Sequence, residues 1–264
     1  MSQLANFINA KQPLTSQPLA MTHVIYGYPS IEASLEWMQT LLEMGVETLE
    51  VQFPFSDPVA DGPSIVQACH KALESEPKMQ QCLADLGRLG RDFPNSKILL
   101  MSYLNPVYRF GISKLVKEAA EQGLTGLILP DLPIEHAAEY QDACVEHNLD
   151  AIWLITPNMP KERIKQIATQ ATGMLYCVSR SGVTGQKSSL QTEFDLAAYL
   201  AEIRQHTDVP LAVGFGIRSP QQVAELTGLA DIAIVGSALL DAHNQGGIAT
   251  GKALVANLFP QLKK

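Results

Sequence analysis

Eight short apolar runs, each followed by a stretch of helical periodicity, set the strongest limit on what this chain can form. The runs cover 21–26, 47–53, 97–103, 126–129, 151–155, 174–178, 211–215 and 232–235. Runs this short that are apolar on both faces read as strands buried on both sides. Parallel strands need a crossover, usually a helix. Helical patterns over 31–44, 64–89, 112–121, 135–147, 161–169, 195–206 and 221–227 supply such crossovers. Near-even repetition predicts a single (β/α)8 TIM barrel over residues 1–264, with a doubly wound open sheet as the alternative. No linker, low-complexity segment or sequence repeat divides the chain.

The charge balance narrows the partners. There are 27 Asp and Glu against 19 Lys and Arg, a net charge of −8, and no basic cluster. That argues against nucleic acid. Cys69, Cys82, Cys144 and Cys177 show no metal-ligand spacing and read as free thiols in a reducing compartment. No apolar run is long enough to span a bilayer, and Met1-Ser-Gln-Leu-Ala-Asn lacks the regions of a signal peptide. The expectation is a soluble, cytoplasmic protein with no membrane role.

A barrel puts its chemistry at the C-terminal ends of its strands. There the segment 48–63, Thr-Leu-Glu-Val-Gln-Phe-Pro-Phe-Ser-Asp-Pro-Val-Ala-Asp-Gly-Pro, stands out. Alternation puts Leu49, Val51 and Phe53 on one face and Thr48, Glu50 and Gln52 on the other. A buried carboxylate such as Glu50 is costly unless paired or protonated. Asp57 and Asp61 follow on turn signals. One acid on a strand and two on the next loop predict a general acid/base site. The loops after the sixth, seventh and eighth strands carry Gly185, Gly216, Gly236 and Ser237. Their backbone N–H groups suit a phosphate at the usual place in such barrels, though the glycines also suit tight turns.

These motifs resemble the tryptophan synthase alpha chain family. The likeness rests on Leu49-Glu50 with the run 54–63, Met101 to Asn105, Asp131 to Pro133, the run Leu-Tyr-Cys-Val-Ser-Arg-Ser-Gly-Val-Thr-Gly at 175–185, Gly-Phe-Gly-Ile at 214–217, and Gly236-Ser237. The resemblance implies retro-aldol cleavage of indole-3-glycerol phosphate to indole and glyceraldehyde 3-phosphate. It makes Glu50 the principal acid/base and gives Asp61 the indole N–H. It implies an indole pocket from His23, Tyr103, Ile128, Tyr176, Thr184 and Phe215, and a phosphate site from Gly185, Gly216, Gly236 and Ser237. Ile128 and Phe215 suit barrel filling as well. It also implies no metal and no cofactor on this chain. Pyridoxal phosphate is expected only on a partner beta chain, in an alpha2-beta2 heterotetramer that Pro54, Asp57, Asn105 and Asp131 contact; Asp57 suits a turn cap equally. A non-catalytic module that activates the beta chain, and another phosphosugar barrel enzyme, are the competing readings. Glu50 and Asp61 weigh against the first, the paired signatures against the second.

Four positions depart from the family pattern. Gln52 stands for a glycine, His23 for an aromatic, and Thr22 and Tyr28 for a proline and an aspartate. His23 reads as a hydrogen-bonded pocket residue, with a role as base the alternative. Since the first two strands are neighbours in a barrel, a direct or water-bridged contact between His23 and Gln52 is expected. The loop 179–189 is expected to act as a lid.

Overall fold

The computed structural model describes residues 2–179, 194–214 and 216–262. Strands β1 (Leu19–Ile25), β2 (Thr48–Gln52), β3 (Lys97–Met101), β4 (Gly126–Ile128), β5 (Asp150–Ile155), β6 (Leu175–Val178), β7 (Leu211–Gly214) and β8 (Ile232–Val235) close into a parallel barrel in chain order. Around them run α1 (Gln3–Lys11), α2 (Ile31–Glu43), α3 (Pro63–Leu73), α4 (Met79–Asp92), α5 (Leu104–Phe110), α6 (Ile112–Glu121), α7 (Ala138–His147), α8 (Lys161–Ala168), α9 (Leu196–Arg204), α10 (Pro220–Ala224) and α11 (Ser237–Leu258). The expected TIM barrel is therefore what forms. None of the helices described is long and apolar enough to cross a membrane.

The differences from expectation are local. The pattern 64–89 is two helices, α3 and α4, because Glu76 takes a left-handed φ of 48° just before Pro77. Proline disfavours helical backbone in the residue before it. The pattern 135–147 opens with a 3-10 turn, Ile134–His136, before α7. Strand β3 stops at Met101 rather than Tyr103, which becomes the N-cap of α5 and stays within the interior cluster.

Register sorts the side chains into two cores. Met21 pairs with Thr48, His23 with Glu50 and Ile25 with Gln52. Glu50 in turn pairs with Leu99, and Gln52 with Met101. Residues at paired positions share a face. Leu49 and Val51 accordingly pack outward against the helices, while Met21, Leu99 and Met101 fill the interior. Thr48, Glu50 and Gln52 belong to that interior face.

Helix α1 seals the end of the barrel opposite the strand C-termini. Its Leu4 and Ile8, both 0% exposed, pack with Leu19, Met174 and Ile232. Ser2 Oγ accepts from the Ala5 N–H and from the Gly173 N–H, each at 3.1 Å. Lys11 Nζ donates to the Asn95 carbonyl at 2.8 Å. An Ile8→Ala variant should thus lose about 2–5 kcal/mol of stability, read as an earlier urea midpoint at unchanged slope. A loss below about 0.5 kcal/mol, the range of surface substitutions, would mean that α1 lies outside the cooperative core.

Candidate active site

Strand β2 carries Glu50 and Gln52 to the mouth of the barrel. The chain then loops outward and enters α3 at Pro63, a position where proline's missing N–H costs nothing. This loop is tied back over the mouth. The Tyr103 hydroxyl donates to Asp61 Oδ2 at 2.9 Å and accepts the Ala60 N–H at 3.0 Å. Gln52 Nε2 donates to the same Oδ2 at 2.8 Å and lies 3.5 Å from Cys69 Sγ. Across the β1–β2 register, His23 Nδ1 is 3.4 Å from Glu50 Oε1, with side chains only 9% and 3% exposed.

The expected interaction between His23 and Gln52 is present, since the Gln52 side chain helps the imidazole hold its proton, and each residue also has a carboxylate partner. The imidazole turns to Glu50 and the amide to Asp61. A carboxylate is the strong acceptor for each donor.

Burial acts on His23, Asp61, Tyr103, Tyr176 and Cys69. For His23 burial opposes the charge, but the Glu50 carboxylate, aided by Asp61 and the Gln52 side chain, outweighs it. The imidazole therefore holds its proton above the ordinary histidine range. Burial raises the Asp61 carboxyl, against the opposing pull of His23, Gln52 and Tyr103, and the Glu50 charge adds to the rise. Burial also pushes up the phenols of Tyr103 and Tyr176 and lifts the Cys69 thiol to about 12. These three stay neutral.

A cavity opens between these groups, lined by His23, Asp61, Ile65, Tyr176, Gly216, Ile217, Ile234, Gly236 and Ser237. It gathers six of the nine expected site residues that are described; Glu50, Tyr103 and Ile128 are not in its lining. A larger cavity of about 560 Å³ lies between α9, residues 12–17 and residues 227–231, and reaches neither Glu50 nor Asp61. Convergent polar groups, rather than volume, mark the mouth as the site. Two glycines make it possible. A Cβ on Gly214 would stand 3.0 Å from Tyr176 Oη, and Gly216 has φ of +99°, which other residues rarely adopt. Gly236 precedes Ser237, the first residue of α11, so free N–H groups of that helix end lie at the cavity. The helix breaks later, at Gly246 and Gly247.

Some expectations fall elsewhere. Ile128 points into the barrel, packs within the interior cluster and does not line this cavity. The barrel-filling alternative describes it. Thr184, Gly185, Phe215 and the rest of the loop 180–189 lie outside the described residues. Ile65, Ile217 and Ile234 were not anticipated. Alternation from the inward Ile232 would have found Ile234. Among the described residues no group of three or more His, Cys, Asp or Glu could hold a metal.

The family model for the tryptophan synthase alpha chain matches residues 9–258. The chain belongs to the tryptophan synthase alpha chain family. A tryptophan synthase alpha chain from Chloroflexus aggregans is 43% identical over 221 residues, 84% of this chain and 82% of its own. The structure of Mycobacterium tuberculosis tryptophan synthase matches with a TM-score of 0.90 at 31% identity, covering 100% of this chain and 99% of that one. That of the tryptophan synthase complex from Pyrococcus furiosus matches at 0.81 and 28%, covering 93% and 99%.

Of the alpha-chain positions expected at a partner interface, Asp57 is exposed and accepts the Ser56 hydroxyl at 2.5 Å. Asp131 Oδ1 instead accepts the Leu104 N–H at 2.8 Å, at the start of α5. The Tyr103 hydroxyl, which joins both loops, is open to a direct test. Tyr103→Phe should lower kcat/KM of the alpha-chain reaction on the order of 10- to 100-fold, the worth of a hydrogen bond to a charged group. Unchanged kcat/KM would show that Asp61 is held without it.

Proposed function

We propose that this chain, as one barrel domain, cleaves indole-3-glycerol phosphate to indole and glyceraldehyde 3-phosphate, as the alpha subunit of tryptophan synthase. The observation that carries the residue roles is the pair of carboxyl groups in unlike settings on either side of His23, which itself lines the cavity. Glu50 is enclosed and paired with His23, while Asp61 sits on the loop and lines the cavity itself. Environments this different let two like groups take separate roles at one pH.

The substrate phosphate is taken by N–H groups of Gly216, Gly236 and Ser237, where the end of α11 favours negative charge. The indole ring lies against Tyr176 and the isoleucines of the cavity wall. Asp61 accepts the ring N–H and stabilises positive charge as it develops on nitrogen. Glu50 delivers a proton to the ring carbon that bears the glycerol chain and removes the proton of the adjacent hydroxyl. The carbon–carbon bond then breaks, its electron pair restores the aromatic ring, and the hydroxyl carbon becomes the aldehyde. The proton taken balances the proton given. The ring is the electron sink, so this chain needs no cofactor.

Val59 and Tyr108, 75% and 76% exposed, flank the mouth on the loop before α3 and on α5. Apolar side chains so placed suit a partner surface. A beta chain carrying pyridoxal phosphate would dock there and receive the indole, in an alpha2-beta2 assembly. The cytoplasm is the proposed setting, which suits four buried free thiols.

Incubation of the purified chain with indole-3-glycerol phosphate, with and without a beta chain, should yield both products. Glu50→Gln should cut turnover by about 10²–10⁴-fold with the fold retained. Asp61→Asn should be impaired by about 10²–10³-fold in kcat. Near-normal turnover in either variant would remove that residue from the mechanism.

A further inference from the structure

Each of the two acids is met by a side chain from β1 or β2. On β1, His23 Nδ1 meets Glu50 Oε1. On β2, Gln52 Nε2 meets Asp61 Oδ2, the oxygen that also takes the Tyr103 hydroxyl. Among the described residues, three atoms of this cluster are buried with no hydrogen-bond partner: Glu50 Oε2, His23 Nε2 and Gln52 Oε1. Buried polar atoms are normally satisfied, and those left over mark where a ligand or water completes the set. Each of the two acids thus has one oxygen occupied. Among the described residues, Glu50 Oε2 and Asp61 Oδ1 take no hydrogen bond.

We propose that His23 and Gln52 are positioning residues, one for each acid: His23 holds Glu50 by Oε1 so that Oε2 meets the substrate, and Gln52 holds Asp61 by Oδ2 so that Oδ1 does. This rests on the roles given to Glu50 and Asp61 above. An aromatic ring at 23 and a glycine at 52 offer neither donor, so this chain fixes its acids by bonds that such a pattern lacks. His23 keeps its proton throughout. The proton that moves passes from the substrate hydroxyl to Glu50 and from Glu50 to the ring carbon.

The pairing has a pH signature. The groups facing His23 are Glu50 from β2, Asp61 from the following loop and Tyr176 from β6 across the cavity. Behind it stand Tyr28, whose hydroxyl is bonded to Asn244, and His243 of α11, which burial keeps neutral. A charged His23 is the cation that faces both Glu50 and Asp61. Without that proton, two carboxylates face one buried space with no cation. Stabilisation by a raised imidazole is present at low pH and is lost as pH climbs through its titration. Activity should therefore fall on the alkaline side, above the reference of about 6.5.

The test compares wild type with His23→Phe, His23→Gln and Gln52→Gly by pH profiles of kcat and KM. His23→Phe and Gln52→Gly should each lower kcat on the order of 10- to 100-fold with KM little changed, the scale of a misplaced catalytic group. His23→Gln retains a donor without titrating. It should recover much of the loss and abolish the alkaline limb set by His23. Equal loss in the Phe and Gln variants, with the alkaline limb intact, would overturn the role of His23. Unchanged kcat in Gln52→Gly would overturn that of Gln52. Imidazole ¹⁵N NMR provides a readout apart from turnover. His23 should titrate above the reference in wild type and below it in Glu50→Gln, where burial is less opposed. Identical titration in the two proteins would overturn the pairing. A wild-type protein with the NMR shift that cleaves no indole-3-glycerol phosphate would instead sink the proposed function.

Discussion

Closure of the sheet between β8 and β1 is the constraint on which the mouth depends. Leu19 pairs with Ile232 and Met21 with Ile234, and one step beyond that ladder His23 comes to lie beside Gly236. The β1–β2 register then sets His23 opposite Glu50. Because side chains alternate with a period of two, a slip of one residue would turn Glu50 among the helices and bring Val51 inside. The apolar positions forbid that slip, since Leu49 and Val51 are both 0% exposed in the outer core. Ordinary hydrophobic patterning thereby fixes the aim of a carboxylate.

The same closure creates the electrostatic problem at the mouth. Two acids sharing a dry space repel each other and favour protonation. The barrel answers with an imidazole on one side and neutral donors on the other. His23 stands against Glu50; Gln52 and Tyr103 stand against Asp61. Tyr103 can do this because β3 ends at Met101 and leaves its side chain at the start of α5. The loop Asp61 rides on is held by the same hydroxyl through the Ala60 N–H. Placement of the loop and electrostatic tuning of its acid are one arrangement.

Much of this was legible in the chain. Short apolar runs marked the strands to within a residue or two, and alternation put Glu50 and Gln52 inside. Gly216, Gly236, Ser237, Tyr176 and His23 were expected together and do share a cavity. What periodicity could not show was the path of a loop. Gln52 reaches Asp61, nine positions on, only because the segment between them folds back over the mouth. Likewise 64–89 keeps a helical pattern on both sides of Pro77, so its apolar spacing concealed a break that the backbone at Glu76 makes plain. The helix α1 was not expected, although Leu4, Phe7 and Ile8 stand at helical spacing in it. Its role follows from what it covers.

That helix has a consequence for how the molecule comes to be assembled. Leu4 and Ile8 are buried in one cluster with residues from β1, β7 and β8 and the turn before β6, namely Leu19, Ala212, Ile232 and Met174. During synthesis α1 emerges before all of those strands, with the chamber it must fill still unmade. Its apolar side stays uncovered until the last strand returns to the first, over more than two hundred intervening residues. The stopper is made first and seated last, so a nascent chain exposes a sticky segment throughout its elongation.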